Sequence, residues 1–206
     1  MSPRTFFAAM SVVACASIPL IGLTSQEQPL KTIREGVLDR IELFVDRPPR
    51  AADSIVAIKP FTTEGANLGT GLSGTPDEQK AAKIMLVEAP KELEAAFMKA
   101  LTSVGGFKGV VRGGPGDLVI EGSFTDLNPG SLPKKGGVLG ERSVVAVAGT
   151  VRDGSGKLLV RFEQRRVSPT RVLGADPVRK MRQDSRNLGE DIAKFLKAWT
   201  GGQSLS

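Results

Sequence analysis

The sequence predicts an α/β domain built on a single mixed β-sheet of about five strands, in the order β-α-β-β-β-β-α, with two helices packed on it. Three apolar runs carry this prediction: Asp117–Phe124, Ser143–Val151 and Leu158–Gln164. The last two flank Asp153–Gly156 (DGSG), whose glycines suit a hairpin turn because they adopt positive φ without a Cβ clash. The arms of this hairpin contain Val, with Thr and Phe added, and these residues favour pleated strands. The centre of the fold is therefore predicted within residues 117–166.

Two further strands and one less certain segment precede this centre. Ser54–Phe61 (SIVAIKPF) alternates apolar positions and predicts the first strand, and Phe107–Val111 (FKGVV) predicts a short second one. Between Leu30 and Val45 the apolar residues recur at helical spacing, which favours a helix, although alternation at the end of the segment favours a strand. Arg47–Arg50 (RPPR) breaks any regular element and marks a boundary.

Two helices are predicted from their start signals. Thr75–Glu78 (TPDE) combines a capping Thr, a Pro at the first helical position and a Glu that completes a capping box, so a helix is predicted over Pro76–Val104. Pro90 is expected to kink or split this helix because it lacks a backbone N–H. A second helix is predicted from Asp176 through Thr200, and Gly189 weakens it by about 1 kcal/mol relative to Ala.

The amino terminus has the pattern of an export signal. Met1–Thr5 contains one Arg, and Phe6–Leu23 then continues for eighteen residues without a charge. This pattern predicts a signal peptide, with an uncleaved membrane anchor or a buried core helix as alternatives. Val12–Cys15 (VVAC) resembles a bacterial lipobox and makes Cys15 a candidate lipidation site, whereas Ala14–Ala16 also offers a small-x-small cleavage site. Both routes stay open.

The predicted organisation has four parts. Residues 1–23 form the signal peptide or anchor, and residues 24–52 form a spacer that includes the helix predicted near its middle. Residues 53–200 form the α/β domain, and residues 201–206 form a tail.

Composition excludes several chemistries. The chain has no His and a single Cys, so the usual general base, the commonest metal ligand and any cysteine-based zinc site are missing. Gly69–Gly74 matches G-x-G-x-x-G, but seven residues separate it from the preceding strand, which does not fit the dinucleotide-binding turn. We therefore predict no cofactor, no metal site and no enzymatic activity. The alternative is an enzyme that acts on cell-wall glycan through Glu121 or Asp126.

Charge is concentrated in the carboxyl-terminal part. Residues 132–206 carry 15 Lys and Arg against 7 Asp and Glu, within a chain of net charge +6. Such a surface could meet an acidic protein, an anionic lipid or an anionic glycan. Nucleic acid is not the expected partner, because stacking aromatics are scarce there. The predicted partner-binding residues are Lys134, Lys135, Arg161, Arg165 and Arg166.

The passage DLVIEGSFTDLNPGS, followed by a Gly-rich connection and VVAVAGTVRDGSGKLL, resembles a family of uncharacterised bacterial envelope proteins, many of them lipoproteins. The resemblance covers Asp53–Trp199, and the architecture is similar to the amino-terminal domain of TolB and to the curli-secretion lipoprotein. It implies a non-enzymatic binding or assembly module that faces the periplasm, soluble or held at a membrane. Its partner would be an envelope protein or an anionic envelope component.

Overall fold

The computed structural model describes residues 28–69, 75–130, 142–170 and 176–205. These residues form seven strands and two long helices. The strands are β1 (Lys31–Arg34), β2 (Arg40–Leu43), β3 (Ile55–Ile58), β4 (Gly109–Arg112), β5 (Leu118–Asn128), β6 (Arg142–Asp153) and β7 (Leu158–Thr170), and the helices are α1 (Pro76–Val104) and α2 (Pro177–Thr200). Residues 1–27, which contain Cys15, lie outside the described residues, as do Lys134 and Lys135.

One mixed sheet holds all seven strands, in the spatial order β1-β2-β7-β6-β5-β3-β4. β3 pairs in parallel with β4 and with β5, whereas the other neighbouring strands are antiparallel. The predicted class, a mixed α/β sheet with two helices, is confirmed. The hairpin of β6 and β7 is also confirmed, and Asp153 closes its turn by accepting hydrogen bonds from the backbone N–H groups of Ser155 and Lys157.

The predicted count of about five strands is wrong, because residues 30–45 contain two strands where a helix was expected. Ile33 of β1 and Ile41 of β2 are directly opposite each other across an antiparallel hairpin. Their spacing of eight residues matches two helical turns, so four-residue strands joined by a turn mimic helical periodicity. The alternation of apolar residues at the end of this segment, which favoured a strand, is confirmed by β2. Residues assigned to a spacer therefore pair with β7 and extend the sheet.

The helix α1 begins as the sequence predicts. The Thr75 hydroxyl accepts from the backbone N–H of Glu78, and the Glu78 carboxylate accepts from the backbone N–H of Thr75, which completes the capping box. Pro90 does not split the helix. Its missing N–H frees the Leu86 carbonyl, and the Thr63 hydroxyl donates to that oxygen at 3.4 Å. A loop outside the helix thus supplies the donor that the proline lacks.

Both helices lie on the same face of the sheet and pack side by side in parallel. The two helices come close at Gly189, where a Cβ would lie 2.3 Å from the Leu93 carbonyl oxygen. Gly189 is therefore where α1 and α2 touch, rather than only a weak point of α2. Thirteen strand residues of the core project toward the helices: Ile33, Ile41, Val56, Ile58, Leu118, Ile120, Phe124, Leu127, Val145, Val147, Val151, Val160 and Phe162.

The carboxyl-terminal residues close the fold against the first hairpin. Leu205 is buried, with 7% of its surface exposed, and its carbonyl accepts from the backbone N–H of Val37 at 3.1 Å. The end of the chain is thereby tied to the turn between β1 and β2. Among the described residues, no helix has the length and apolar character needed to cross a bilayer.

Candidate partner-binding face

The face of the sheet opposite α1 and α2, which we call the open face, has a central strand with small side chains. Residues of β6 alternate, so that Val145, Val147 and Val151 point toward the helices. Ala146, Ala148 and Thr150 occupy the other parity and point outward. Apart from Ser123, the cross-strand neighbours of these three residues on β5 and β7 carry longer, charged side chains. The result is a groove that follows β6.

Two concavities make up this groove, and they share Ala148 as a lining residue. One has a volume of about 610 Å³ and is lined by both cross-strand neighbours of Thr150, Glu121 and Arg161, and by residues after β3. The other has a volume of about 530 Å³ and extends toward Ala146 and the bulged part of β5. The groove therefore covers at least the stretch of β6 from Ala146 to Thr150, about 13 Å of strand.

The floor of the groove is formed by two glycines that are opposite each other in the β5–β6 pair, Gly122 and Gly149. A Cβ on Gly122 would lie 2.5 Å from the Phe61 ring, and one on Gly149 would lie 2.5 Å from the Phe162 ring. Both rings fill the helix side of the sheet at these positions. Glycine is needed here because the aromatic rings occupy the space of a side chain.

The first end of the groove, near Thr150, carries a charged cluster. The Glu121 carboxylate accepts from Lys59 at 2.9 Å and from the Arg152 guanidinium at 3.3 Å. The hydrogen bond from Lys59 lowers the pKa of Glu121, and Arg152 adds to the effect. Across the groove, Arg161 pairs with Glu42 at 2.7 Å and lies over the Phe44 ring, 5.4 Å from its centroid.

The second end, near Ala146, is richer in carboxylates. Asp126 accepts from the Asn67 side-chain amide at 2.8 Å, and Asp39 accepts from the backbone N–H of Arg165 at 2.7 Å. Glu163 also lines this end and lies 3.5 Å from the Arg40 guanidinium. The lining residues of the second end thus include three carboxylates and one cation, whereas those of the first end include two cations and one carboxylate.

The predicted partner-binding residues are divided by the pleat of β7. Arg161 and Arg165 line the groove on the open face. Arg166 projects to the helix side, where its guanidinium pairs with Asp191 of α2. The sequence grouped the three by proximity, but adjacent strand residues point to opposite faces. Arg166 therefore joins the sheet to α2 and does not share a surface with the other two.

Much of the basic carboxyl-terminal part is internally paired. Seven of its cations lie within 4.0 Å of a carboxylate: Arg152, Arg161, Arg166, Lys180, Arg182, Arg186 and Lys194. Three of these pairs connect a helix to another element, since Arg182 and Arg186 reach Glu88 and Glu92 of α1 and Arg166 reaches α2. Close to half of the fifteen cations in this part of the sequence therefore pair with carboxylates of the same chain, and three of them attach a helix to its neighbour.

The carboxylates of the glycan-hydrolase alternative do not form a catalytic pair. Glu121 and Asp126 both lie on the open face, opposite Thr150 and Ala146 respectively. Four residues of β6 therefore separate their positions, about 13 Å, whereas paired glycosidase carboxylates lie about 5–9.5 Å apart. A general acid also needs a raised pKa, and the pKa of Glu121 is lowered.

The remaining sequence motifs contribute little to the site. Of the G-x-G-x-x-G segment only Gly69 is described; it has a positive φ of 56°, and its N–H donates to the Asn67 side chain. Within the described part of the chain, no three His, Cys, Asp or Glu residues are grouped as a metal ion would require.

No family model matches this chain, and no curated protein matches it. Among solved structures it is similar to protein XCC0632 from Xanthomonas campestris, of the family model DUF330, with 13% identity over 78% of this chain and 94% of that one and a TM-score of 0.45. Two PelC dodecamer structures from Paraburkholderia phytofirmans match at 15% identity. They cover 74% and 73% of this chain and 95% of each PelC chain, with TM-scores of 0.38 and 0.36. Likeness at this level establishes neither function nor partners, and the likeness to TolB and the curli-secretion lipoprotein stays a prediction.

Sequence reasoning found Arg161 and Arg165 but missed the groove between the charged walls. The signal was present in SVVAVAGTV. One set of alternating residues is Ser143, Val145, Val147, Gly149 and Val151, and the other is Val144 followed by the smaller Ala146, Ala148 and Thr150. Three successive small residues on one side of a central strand indicate a depression there. Lys59 was missed because its role depends on Glu121, which is distant in sequence and adjacent only through strand pairing.

Proposed function

We propose that this protein is an exported, non-enzymatic module that binds a protein partner in the bacterial envelope and takes part in assembly there. Export is supported by the charge-free run Phe6–Leu23 after a single Arg. A non-enzymatic role is supported by the absence of His and by the separation of Glu121 and Asp126 on the open face.

The observation that carries the binding role is the groove along β6. Its small floor residues leave room for an inserted side chain, and its walls present polar and charged groups at the rim. Protein interfaces have this arrangement of a small apolar centre within a polar border. A purely anionic ligand fits less well, because the cation Arg161 is paired with Glu42 and the second end is rich in carboxylates.

Export is tested by cell fractionation with the intact mass of the mature protein. A mature protein in the envelope fraction that begins at Cys15 with added lipid mass establishes a lipid anchor, and one that begins beyond Cys15 establishes ordinary cleavage. An unprocessed chain in the cytoplasm would refute export.

Binding through the open face is tested by a photoreactive amino acid placed at Ala148 in cells. We expect a discrete crosslinked product with an envelope protein. The matched control is Val87 on α1, which is 56% exposed on the opposite side of the molecule and should give no such product. Equal crosslinking from both positions, or none from Ala148, would contradict the proposal.

A further inference from the structure

We propose that the helix face, defined as the exposed residues of α1 from Lys80 to Lys99 together with those of α2, binds the surface of a bilayer that contains anionic phospholipids. This face lies on the opposite side of the sheet from the open face. The inference goes beyond the proposed function, because it assigns a second binding surface and leaves the open face free for a protein partner. Its support is the charge of the helix face, the extent of that charge and one exposed apolar residue.

α1 presents a row of lysines that no carboxylate interrupts. Between Lys80 and Lys99 the exposed residues recur every three or four positions, which keeps them on one side of the helix. They are Lys80, Lys83, Val87, Lys91, Ala95 and Lys99. At about 1.5 Å per residue the row is about 29 Å long. Charge spread over such a length suits an extended anionic surface better than a compact anion.

α2 runs beside this row and adds to its charge. Its exposed residues are Arg179, Lys180, Gln183, Arg186, Glu190 and Lys194. Each helix thus contributes four exposed cations, whereas Glu190 is the one exposed carboxylate of the described helix face, and Asp77 in the first turn of α1 adds a second nearby. An excess of this kind attracts a surface of negative lipid headgroups.

Part of this charge is available to a ligand because it is not neutralised within the chain. Four of the exposed cations lie within 4.0 Å of a carboxylate: Lys91, Lys180, Arg186 and Lys194. Lys80, Lys83 and Lys99 have no such partner among the described residues. On the open face, by contrast, Lys59 and Arg161 are both paired with carboxylates. Anionic lipid can therefore approach the helix face without breaking an existing ion pair.

Val87 gives the lysine row an amphipathic character. It is 56% exposed, and it lies one helical turn from Lys83 and one from Lys91. Helices that lie in the membrane interface combine apolar residues, which enter the boundary between headgroups and acyl chains, with lysines whose long stems carry the ammonium to the headgroups. The spacing around Val87 matches this arrangement.

A groove of about 270 Å³ between the two helices continues the basic surface. Lys99, Lys194 and Lys197 stand around it, together with the single carboxylate of Glu190. The rest of its lining consists of small residues: Ala96, Ala100, Ser103 and Ala193. The small residues leave room for a lipid headgroup, and the lysines surround the position of its phosphate.

Fluorescence quenching in vesicles tests the proposal with the full protein purified from the envelope. A fluorescent amino acid replaces Val87, or Val167 on the open face as a matched control that is 48% exposed. The vesicles carry a headgroup quencher and consist of phosphatidylcholine, with or without phosphatidylglycerol. We expect quenching at Val87 only with phosphatidylglycerol, and its loss in high salt, where the Debye length falls to about 3 Å. The readout reports which face meets the lipid, whether or not the chain also carries an anchor.

The triple variant K80Q/K83Q/K99Q removes the three unpaired lysines. Each lysine near an anionic bilayer strengthens binding about five-fold, so the variant should weaken the contact roughly 100-fold and lose most of the quenching at Val87. The control is K31Q/K108Q/K157Q, which removes the same charge from three exposed lysines outside the helices and should behave like the wild type. Circular dichroism and thermal unfolding establish that both variants are folded.

Four results would overturn the inference: no quenching at Val87, equal quenching with and without phosphatidylglycerol, equal quenching at Val167, or equal losses in the two triple variants. A photocrosslink from Val87 to an acidic protein in cells would also refute a lipid surface as the occupant. Crosslinking from Ala148 decides the proposed function separately. A crosslink there without quenching at Val87 refutes only the lipid surface, and quenching without that crosslink refutes only the protein partner.

Discussion

At the scale of single residues, Arg165 and Arg166 are adjacent in the chain and do different things. The Arg166 guanidinium pairs with Asp191, whose side chain is 11% exposed, and joins β7 to α2. The Arg165 side chain lines the groove on the open face, where no described carboxylate lies within ion-pair distance of it. We therefore expect Arg166 to contribute to the stability of the fold and Arg165 to contribute to contacts made by the open face.

R166A is predicted to lower the free energy of unfolding by about 1–3 kcal/mol, because it leaves the Asp191 carboxylate with only Lys194, at 3.6 Å. R165A, the matched control, should change it by less than about 0.5 kcal/mol. Urea unfolding monitored by circular dichroism measures both. Equal losses would show that the two faces of β7 are wrongly assigned.

At the scale of elements, α1 tolerates Pro90 because Thr63 supplies a donor to the Leu86 carbonyl. T63A is predicted to cost about 0.5–1 kcal/mol in the wild-type background. In a P90A background the restored helical N–H satisfies the same carbonyl, so T63A should cost less there. A double-mutant cycle of T63A and P90A, measured by chemical unfolding, tests this coupling. Additive effects would rule out the compensation.

Replacing a glycine inside a helix by alanine usually stabilises the protein, but the contact between α1 and α2 is expected to reverse this effect at Gly189. On helix propensity alone, G189A would stabilise α2 by about 1 kcal/mol. Its Cβ would instead lie 2.3 Å from the Leu93 carbonyl oxygen, which forces the helices apart. We predict a net loss of about 1–3 kcal/mol in the free energy of unfolding.

The control for this prediction is A95G, at an exposed position of α1, which should cost about 1 kcal/mol through propensity alone. Thermal or urea unfolding of both variants separates packing from propensity. A stabilised G189A variant would mean that the two helices do not meet at this residue.

At the scale of the whole molecule, stability should decrease in acid. Hydrogen bonds lower the pKa of three carboxylates: Arg186 acts on Glu92, Lys59 on Glu121 and Ser155 on Asp153. A carboxyl whose folded pKa is lowered stabilises the fold above its unfolded pKa of about 4, and this contribution is lost as pH falls through the folded pKa. We therefore predict a falling midpoint of urea unfolding below about pH 4.5.

E92Q isolates one contribution to this effect. The variant removes the titrating group that pairs with Arg186, so its unfolding midpoint should vary less with pH between about 2 and 5 than that of the wild type. E64Q provides a control, since Glu64 lies in an exposed turn. The pH prediction is wrong if stability is flat across this range in the wild type.

Local signals predicted much of the fold. The capping box at Thr75, the start of α2 after Asp176 and the DGSG turn are short-range patterns, and each lies where it was predicted. The hairpin of β1 and β2 was missed because its two short strands and the turn between them place apolar residues at helical spacing. Ile33 and Ile41 are eight residues apart in the chain but directly opposite each other in the hairpin.

The sequence by itself determined the α/β class, the five strands β3 to β7 and both helices. The periodicity and capping signals that predict these elements act over a few residues. The tertiary structure alone decided which side of each strand faces the helices, and so separated Arg165 from Arg166 and created the groove along β6. It also decided that the Thr63 hydroxyl donates to the Leu86 carbonyl that Pro90 leaves free, and that Gly189 packs against the backbone of Leu93. These outcomes depend on pairings between residues far apart in the chain, which local patterns do not encode.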